Sequence, residues 1–201
     1  MEVYNLIKKY DGFEAKKAGG AKFPELPVGG YVCKVMNAEV TSGMYGDQLI
    51  VSYDVAEGEN KDFWRKAYAE DSRPDKKWGG VMYLNIPDEN TEQKKRIAFE
   101  NFAYALEDSN AGYHFDWDET KLKGKMLGII VSEKEKWSKD HTKIFTNTYA
   151  YGAASIDDIR SGNYKIPDIW KVNVGGNSSV NPASTFPTFS EVMDDGADLP
   201  F

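Results

Sequence analysis

The chain has 201 residues, 41% hydrophobic and 13% aromatic, enough for one packed domain with extensions, so it is not wholly disordered. No apolar run is long enough to span a bilayer, the first residues lack the basic-then-apolar order of a secretory signal, and a single cysteine, Cys33, excludes an internal disulfide and fits a reducing cytoplasm. One Cys and two distant His, His114 and His141, argue against a zinc cluster, and a formal net charge of −7 at first argues against nucleic acid.

Residues 1–24 mix lysines with Gly19-Gly20 and read as a loosely structured arm entering a Pro-rich turn. Residues 25–170 read as one domain. Its first strand, around residues 31–40, places Val32, Met36, Ala38 and Val40 in one alternating register. A Gly-bracketed turn holding Tyr45 follows, and then Leu49, Val51, Tyr53 and Val55 recur at period two, the pattern of a half-buried strand. A third strand falls either at residues 63–68 or at residues 81–86. One helix is expected over residues 91–108, capped by Asn90 with Gln93 in the reciprocal position, and carrying Phe99, Phe102, Ala103 and Leu106 as an apolar stripe. Residues 125–132 and 143–151 form a last hairpin around a lysine-rich loop, and a short helical turn lies within residues 155–170. From Lys171 the composition turns to Gly, Asn, Ser and Pro, a flexible linker ahead of an acidic end. Three strands, a helix and two strands is the order of a five-stranded OB barrel, whose helix plugs the gap between strands three and four. The expected fold class is all-β with one helix (β-rich α+β), ending in a disordered C-terminal tail.

The charge is segregated. Residues 87–119 hold nine acidic and three basic residues, whereas residues 121–143 hold seven lysines against three acids, and residues 61–80 hold six basic residues against four. Both basic stretches also carry aromatics. Sequence-independent binding of single strands needs flat π faces for bases and cations for phosphates. The first stretch offers Trp64, Arg65, Lys66, Tyr68, Lys77 and Trp78, with Tyr45 in the first hairpin turn. The second offers Lys134, Lys136, Trp137, Lys139 and Lys143. Trp137, among lysines in an expected loop, reads as a surface stacking residue. Trp64 and Trp78 fit either core or surface, while Phe63, Phe145 and Tyr53 read as core.

The last eight residues include Asp194, Asp195 and Asp198 beside Leu199, Pro200 and Phe201. Such a segment buries too little apolar area to fold alone, but suits capture by a partner with a greasy pocket and a basic rim. This end resembles the bacterial single-stranded DNA-binding proteins, which close in an acidic peptide and a Pro-Phe pair. The phrase Leu26-Pro27-Val28-Gly29-Gly30-Tyr31, the hairpin after it, Lys123-Gly124-Lys125, and the run from Arg160 through Ser161, Gly162, Asn163, Tyr164, Lys165 and Ile166 to Pro167 resemble a family of phage single-stranded DNA-binding proteins over most of residues 24–167. The resemblance implies an OB fold, sequence-independent coating of single-stranded DNA, and work beside replication, recombination and repair proteins recruited by the tail in the host cytoplasm. No cofactor, no metal and no catalysis are expected. Whether the N-terminal arm closes a homodimer stays open at this point.

Two other classes remain. Asp54, Glu57, Glu59 and Asp62 can be imagined as a metal-dependent nuclease cluster, although they read more simply as a solvated strand end and turn. An acidic interaction protein or DNA mimic would use the negative charge directly. No Gly-rich phosphate loop and no nucleophile elbow are present.

Overall fold

The computed structural model describes residues 24–43, 46–89, 91 and 93–172. These form one sheet of five antiparallel strands with three helices: β1 (Gly29–Gly43), β2 (Gly46–Val55), α1 (Phe63–Glu70), β3 (Val81–Asn85), α2 (Gln93–Ser109), β4 (Met126–Trp137), β5 (Ile144–Ala154) and α3 (Ile156–Ser161), with a 3-10 turn at Glu119–Leu122 before β4. The strand order is β3-β2-β1-β4-β5. Among the described residues no helix is long and apolar enough to cross a membrane.

The period-two reading of β2 holds: Leu49, Val51, Tyr53 and Val55 are all buried in the core. β3 occupies the later of the two expected places, with Met82 and Leu84 inward. In β1 the expected alternation breaks. A bulge between Val35 and Asn37 inserts Met36 as an extra residue, which reverses the parity of inward positions. Cys33 and Val35 face the core before it and Ala38 after it, while Val40 is exposed. Burial, and then the charge of Asp54, pushes the Cys33 thiol pKa up, as befits an inert core residue.

Residues 63–70 are helical, not extended. Phe63, Trp64 and Ala67 sit at helical spacing, but the decisive partner is distant in sequence. The flanking residue, Asp62, lies in the left-handed region and makes no side-chain cap bond. Asp54, at the end of β2, takes over: its carboxylate accepts from the backbone N–H of Val55, Trp64 and Arg65 at 2.9, 3.0 and 3.3 Å. A buried acceptor thus satisfies the orphan donors of the first helical turn.

α2 runs over Gln93–Ser109 and lays Phe99, Phe102, Ala105 and Leu106 into the core against β3, β4 and β5; the expected cap Asn90 lies outside the described residues. Asn110 ends the helix and starts β4, donating to the carbonyls of Leu106 and Met126 and accepting from Met126 N–H. On the opposite face of the sheet, α3 begins at the cap Ser155 and stops at Gly162, in the left-handed conformation. It seats Ile159 on Gly128 and brings Tyr164 onto Gly30, where a Cβ would fall 2.3 Å from Ile159 Cγ1 and 2.5 Å from the Tyr164 ring. The Tyr164 hydroxyl accepts from Gly30 N–H at 3.0 Å.

Replacing Asp54 with Ala leaves three backbone N–H groups, two of them buried, without this acceptor. It should destabilise the fold by about 2 kcal/mol, read as a lower denaturation midpoint at an unchanged m-value.

Candidate nucleic-acid interface

The first basic-aromatic stretch turns inward. Trp64 is only 8% exposed; its ring lies against Gly79 and Gly80, with Phe63 edge-on at 4.9 Å. It offers no free face to a base, which corrects its place among the stacking candidates. Trp78 is half-buried and donates from its indole N–H to Tyr53 O at 3.0 Å. Tyr68 lies beside it at 5.9 Å and carries the Lys76 ammonium over its ring at 4.3 Å. Arg65 pairs with Asp62 at 3.2 Å, Lys66 donates to Lys61 O, and Arg73 pairs with Asp71, whose carboxyl the guanidinium holds down at about 2. Lys77 is exposed. Core packing and local pairing thus occupy most of this stretch.

The second stretch is presented outward. β4 and β5 run on past the end of the β1 pairing at Val131 and form an arm closed by residues 138–143. Trp137 is the last residue of β4, paired with Ile144, and not a loop residue; it is half-buried, with the His141 ring at 6.0 Å. The loop is braced from within. Asp140 accepts from the Ser138 and Thr142 hydroxyls, which lower its pKa, and Ser138 Oγ accepts from the N–H of Thr142 and Lys143. Lys139 and Lys143 are left exposed.

Side chains alternate along the arm, so its two faces differ. Paired positions share a face: Ser132 with Tyr149, Lys134 with Asn147, and Lys136 with Phe145 on one; Glu133 with Thr148, Glu135 with Thr146, and Trp137 with Ile144 on the other. Lys134, Lys136, Tyr149 and Phe145 therefore segregate from the two glutamates, whereas Trp137, expected as a stacking residue among the lysines, shares the glutamate face. The Lys134 ammonium lies 5.0 Å over the Tyr149 ring. Its pKa is lowered by desolvation and then by Lys136. Among the described residues Lys134, Lys136, Lys139 and Lys143 make no salt bridge, whereas Lys121, from the same basic stretch, is bound by Asp116 and Asp118.

Two aromatics complete the lysine face. Phe145 is 51% exposed, contrary to the core reading: it pairs with Lys136 on the arm, beyond the last buried residue of β4. Trp170 is 47% exposed and was not singled out in the sequence at all. After α3 the chain returns beside β4, filling the flank that β1 leaves vacant. Trp170 forms a parallel bridge at Lys134: Glu135 N–H donates to Trp170 O at 2.8 Å and Trp170 N–H to Glu133 O at 3.2 Å. Val172 N–H then donates to Glu135 Oε2, which ties that carboxylate down. The local signal for Trp170 was an aromatic beside Lys171 where the patterned sequence ends.

Tyr45 and the tail residues Asp194, Asp195, Asp198, Leu199, Pro200 and Phe201 lie outside the described residues. Three of the four imagined nuclease carboxylates are otherwise engaged. Asp54 caps α1, Asp62 pairs with Arg65, and Glu57 takes Arg160 at 2.6 Å, which lowers its pKa. Among the described residues no three His, Cys, Asp or Glu converge as a metal site. Compared with models of known protein families and with curated proteins, the sequence finds no match in either.

Trp64→Ala should lower stability by about 3–5 kcal/mol, whereas Phe145→Ala and Trp170→Ala should stay within about 0.5–1 kcal/mol. Thermal unfolding of the three variants checks the assignment of core and surface.

Proposed function

We propose that the protein binds single-stranded DNA without sequence preference, through the lysine face of the β4–β5 arm. The observation that carries this is the grouping of exposed Phe145 and Trp170 with Lys134 and Lys136 on one face, beside Lys139 and Lys143 at the tip. Bases would stack on the two rings while phosphates meet lysines that have no carboxylate partner among the described residues. Lys134 supports this directly: burial makes its charge costly, and an arriving phosphate would compensate it.

The reading extends to fold and biology. The order β3-β2-β1-β4-β5, with α2 between β3 and β4 in the chain, is compatible with an OB barrel closed by bringing β3 to β5, and residues of these two strands do approach within 8 Å. In that fold the last hairpin loop flanks the oligonucleotide site. On the resemblance of its sequence phrases, we place the protein with phage single-stranded DNA-binding proteins, coating strands in the host cytoplasm during replication, recombination or repair. The acidic end, Asp194 to Phe201, would recruit partner proteins by inserting Phe201 in an apolar pocket. The protein acts by binding, not catalysis.

One observation favours the rival acidic interaction protein. Trp117 is 63% exposed and stacked on Phe99 at 5.2 Å, within the run Asp116, Asp118 and Glu119. A titration with a dT oligonucleotide, followed by tryptophan fluorescence, separates the two. Quenching is expected, with log K falling against log salt at a slope of about −0.7 per phosphate neutralised. Phe145→Ala with Trp170→Ala should weaken binding by roughly 30-fold or more, since each of the two stacked bases is worth on the order of 1–3 kcal/mol. An unchanged signal at low salt sinks the proposal.

A further inference from the structure

β5 is an edge strand, and its outer edge is unusual for this chain. The eleven residues Ile144–Ala154 contain neither a charged residue nor a proline, although charged residues make up 28% of the whole sequence. Natural sheets protect long edges with lysines, prolines, short strands or covering loops. The opposite edge follows that rule, because β3 has only five residues. Among the described residues nothing pairs with the outer edge of β5, and positions 144–147 are exposed.

We propose that this edge pairs antiparallel with the same edge of a second copy of the chain, about a two-fold axis at Asn147. The sequence is complementary to itself in that register. Phe145 meets Tyr149 of the second copy and Asn147 meets its equivalent, all on the lysine face. Thr146 meets Thr148 and Ile144 meets Ala150 on the other face. Aromatic pairs and Thr–Thr pairs directly opposite one another are among the favourable cross-strand combinations, and no like charges confront each other. An isologous contact of this kind closes at two copies, so an uncharged edge does not propagate into fibres. The pairing itself does not rest on the DNA reading. Its consequence does: two arms would join edge to edge, and their lysine faces would form one continuous strip.

The test uses the full chain without DNA. Sedimentation equilibrium should give twice the 22.6 kDa chain mass. The double variant Thr146→Lys with Thr148→Lys places lysines opposite Glu135 and Glu133 within its own arm, which the monomer tolerates, but lysine against lysine across the two-fold. It should sediment as a monomer with unchanged circular dichroism and thermal midpoint, and should still quench with dT. Asn147→Cys should form a disulfide-linked dimer on mild oxidation, Cys33 being buried. A monomeric wild type, an open-ended series of oligomers, a double variant that stays dimeric, or no cross-link at position 147 overturns the inference. Loss of the dimer with dT binding intact removes only this inference; a dimer that ignores dT removes only the DNA reading.

Discussion

The arrangement of the candidate face depends on close approach at two glycines. Gly30 and Gly128 lie on the neighbouring strands β1 and β4, and any side chain at either would collide with Ile159 or Tyr164. Because both are glycine, α3 and the segment after it settle directly onto the backbone of the sheet. Tyr164 is then fixed by Gly30 N–H, Ser132 Oγ reaches Pro167 O at 3.4 Å, and Trp170 is delivered beside Lys134. The same contact explains why Val32, on the face away from the core, is nevertheless buried. Two of the phrases that suggested a family in the sequence, Gly29-Gly30-Tyr31 and the run from Arg160 to Pro167, are thus two sides of one packing contact.

Charge follows the same division. A net charge of −7 describes the chain and not the arm. Arg65, Arg73 and Lys121 are paired with carboxylates beside them, so they add little field at a distance. Glu133 and Glu135 alternate with Lys134 and Lys136 in sequence but project to the other face, since successive residues of a strand do so. The pleat separates what the sequence interleaves. Four lysines that have no carboxylate partner among the described residues share one short arm, and there they present a local positive field that the sum conceals.

Legibility in the sequence tracked the locality of the cause. β2 and α2 were readable because period-two and helical spacing are local properties: Leu49, Val51, Tyr53 and Val55 are buried, as are Phe99, Phe102 and Leu106, although Ala105 and not Ala103 completes the buried stripe, and β3 was legible only as one of two places. α1 was not, because its cap, Asp54, lies nine residues before the helix begins and reads locally as a surface acid. The bulge at Met36 has no composition signal, so it misassigned half of β1. In the candidate site the lysines were legible as a run. The aromatics were not: Phe145 looks like any inward strand residue, although it lies on the arm beyond the buried part of β4, and Trp170 gains its place only through a bridge to Lys134. Trp64 failed in the opposite sense, since Gly79 and Gly80, which admit its ring to the core, carry no mark of that role in sequence.

On the proposed reading, the arm also separates stability from binding. The core residues of β4 are Leu127, Ile129 and Val131, all before the point where β1 ends. Beyond it, Phe145 and Trp170 keep about half of their surface in water, and so contribute little of the apolar burial that holds the sheet and its helices together. An exposed two-stranded arm is marginal alone. This one is supported by the bridge at Trp170 along one flank and by the Ser138–Asp140–Thr142 bonds at its tip. Local opening of the arm therefore costs less than unfolding of the sheet, which leaves the aromatic face free to adjust to a flexible ligand while the core stays intact.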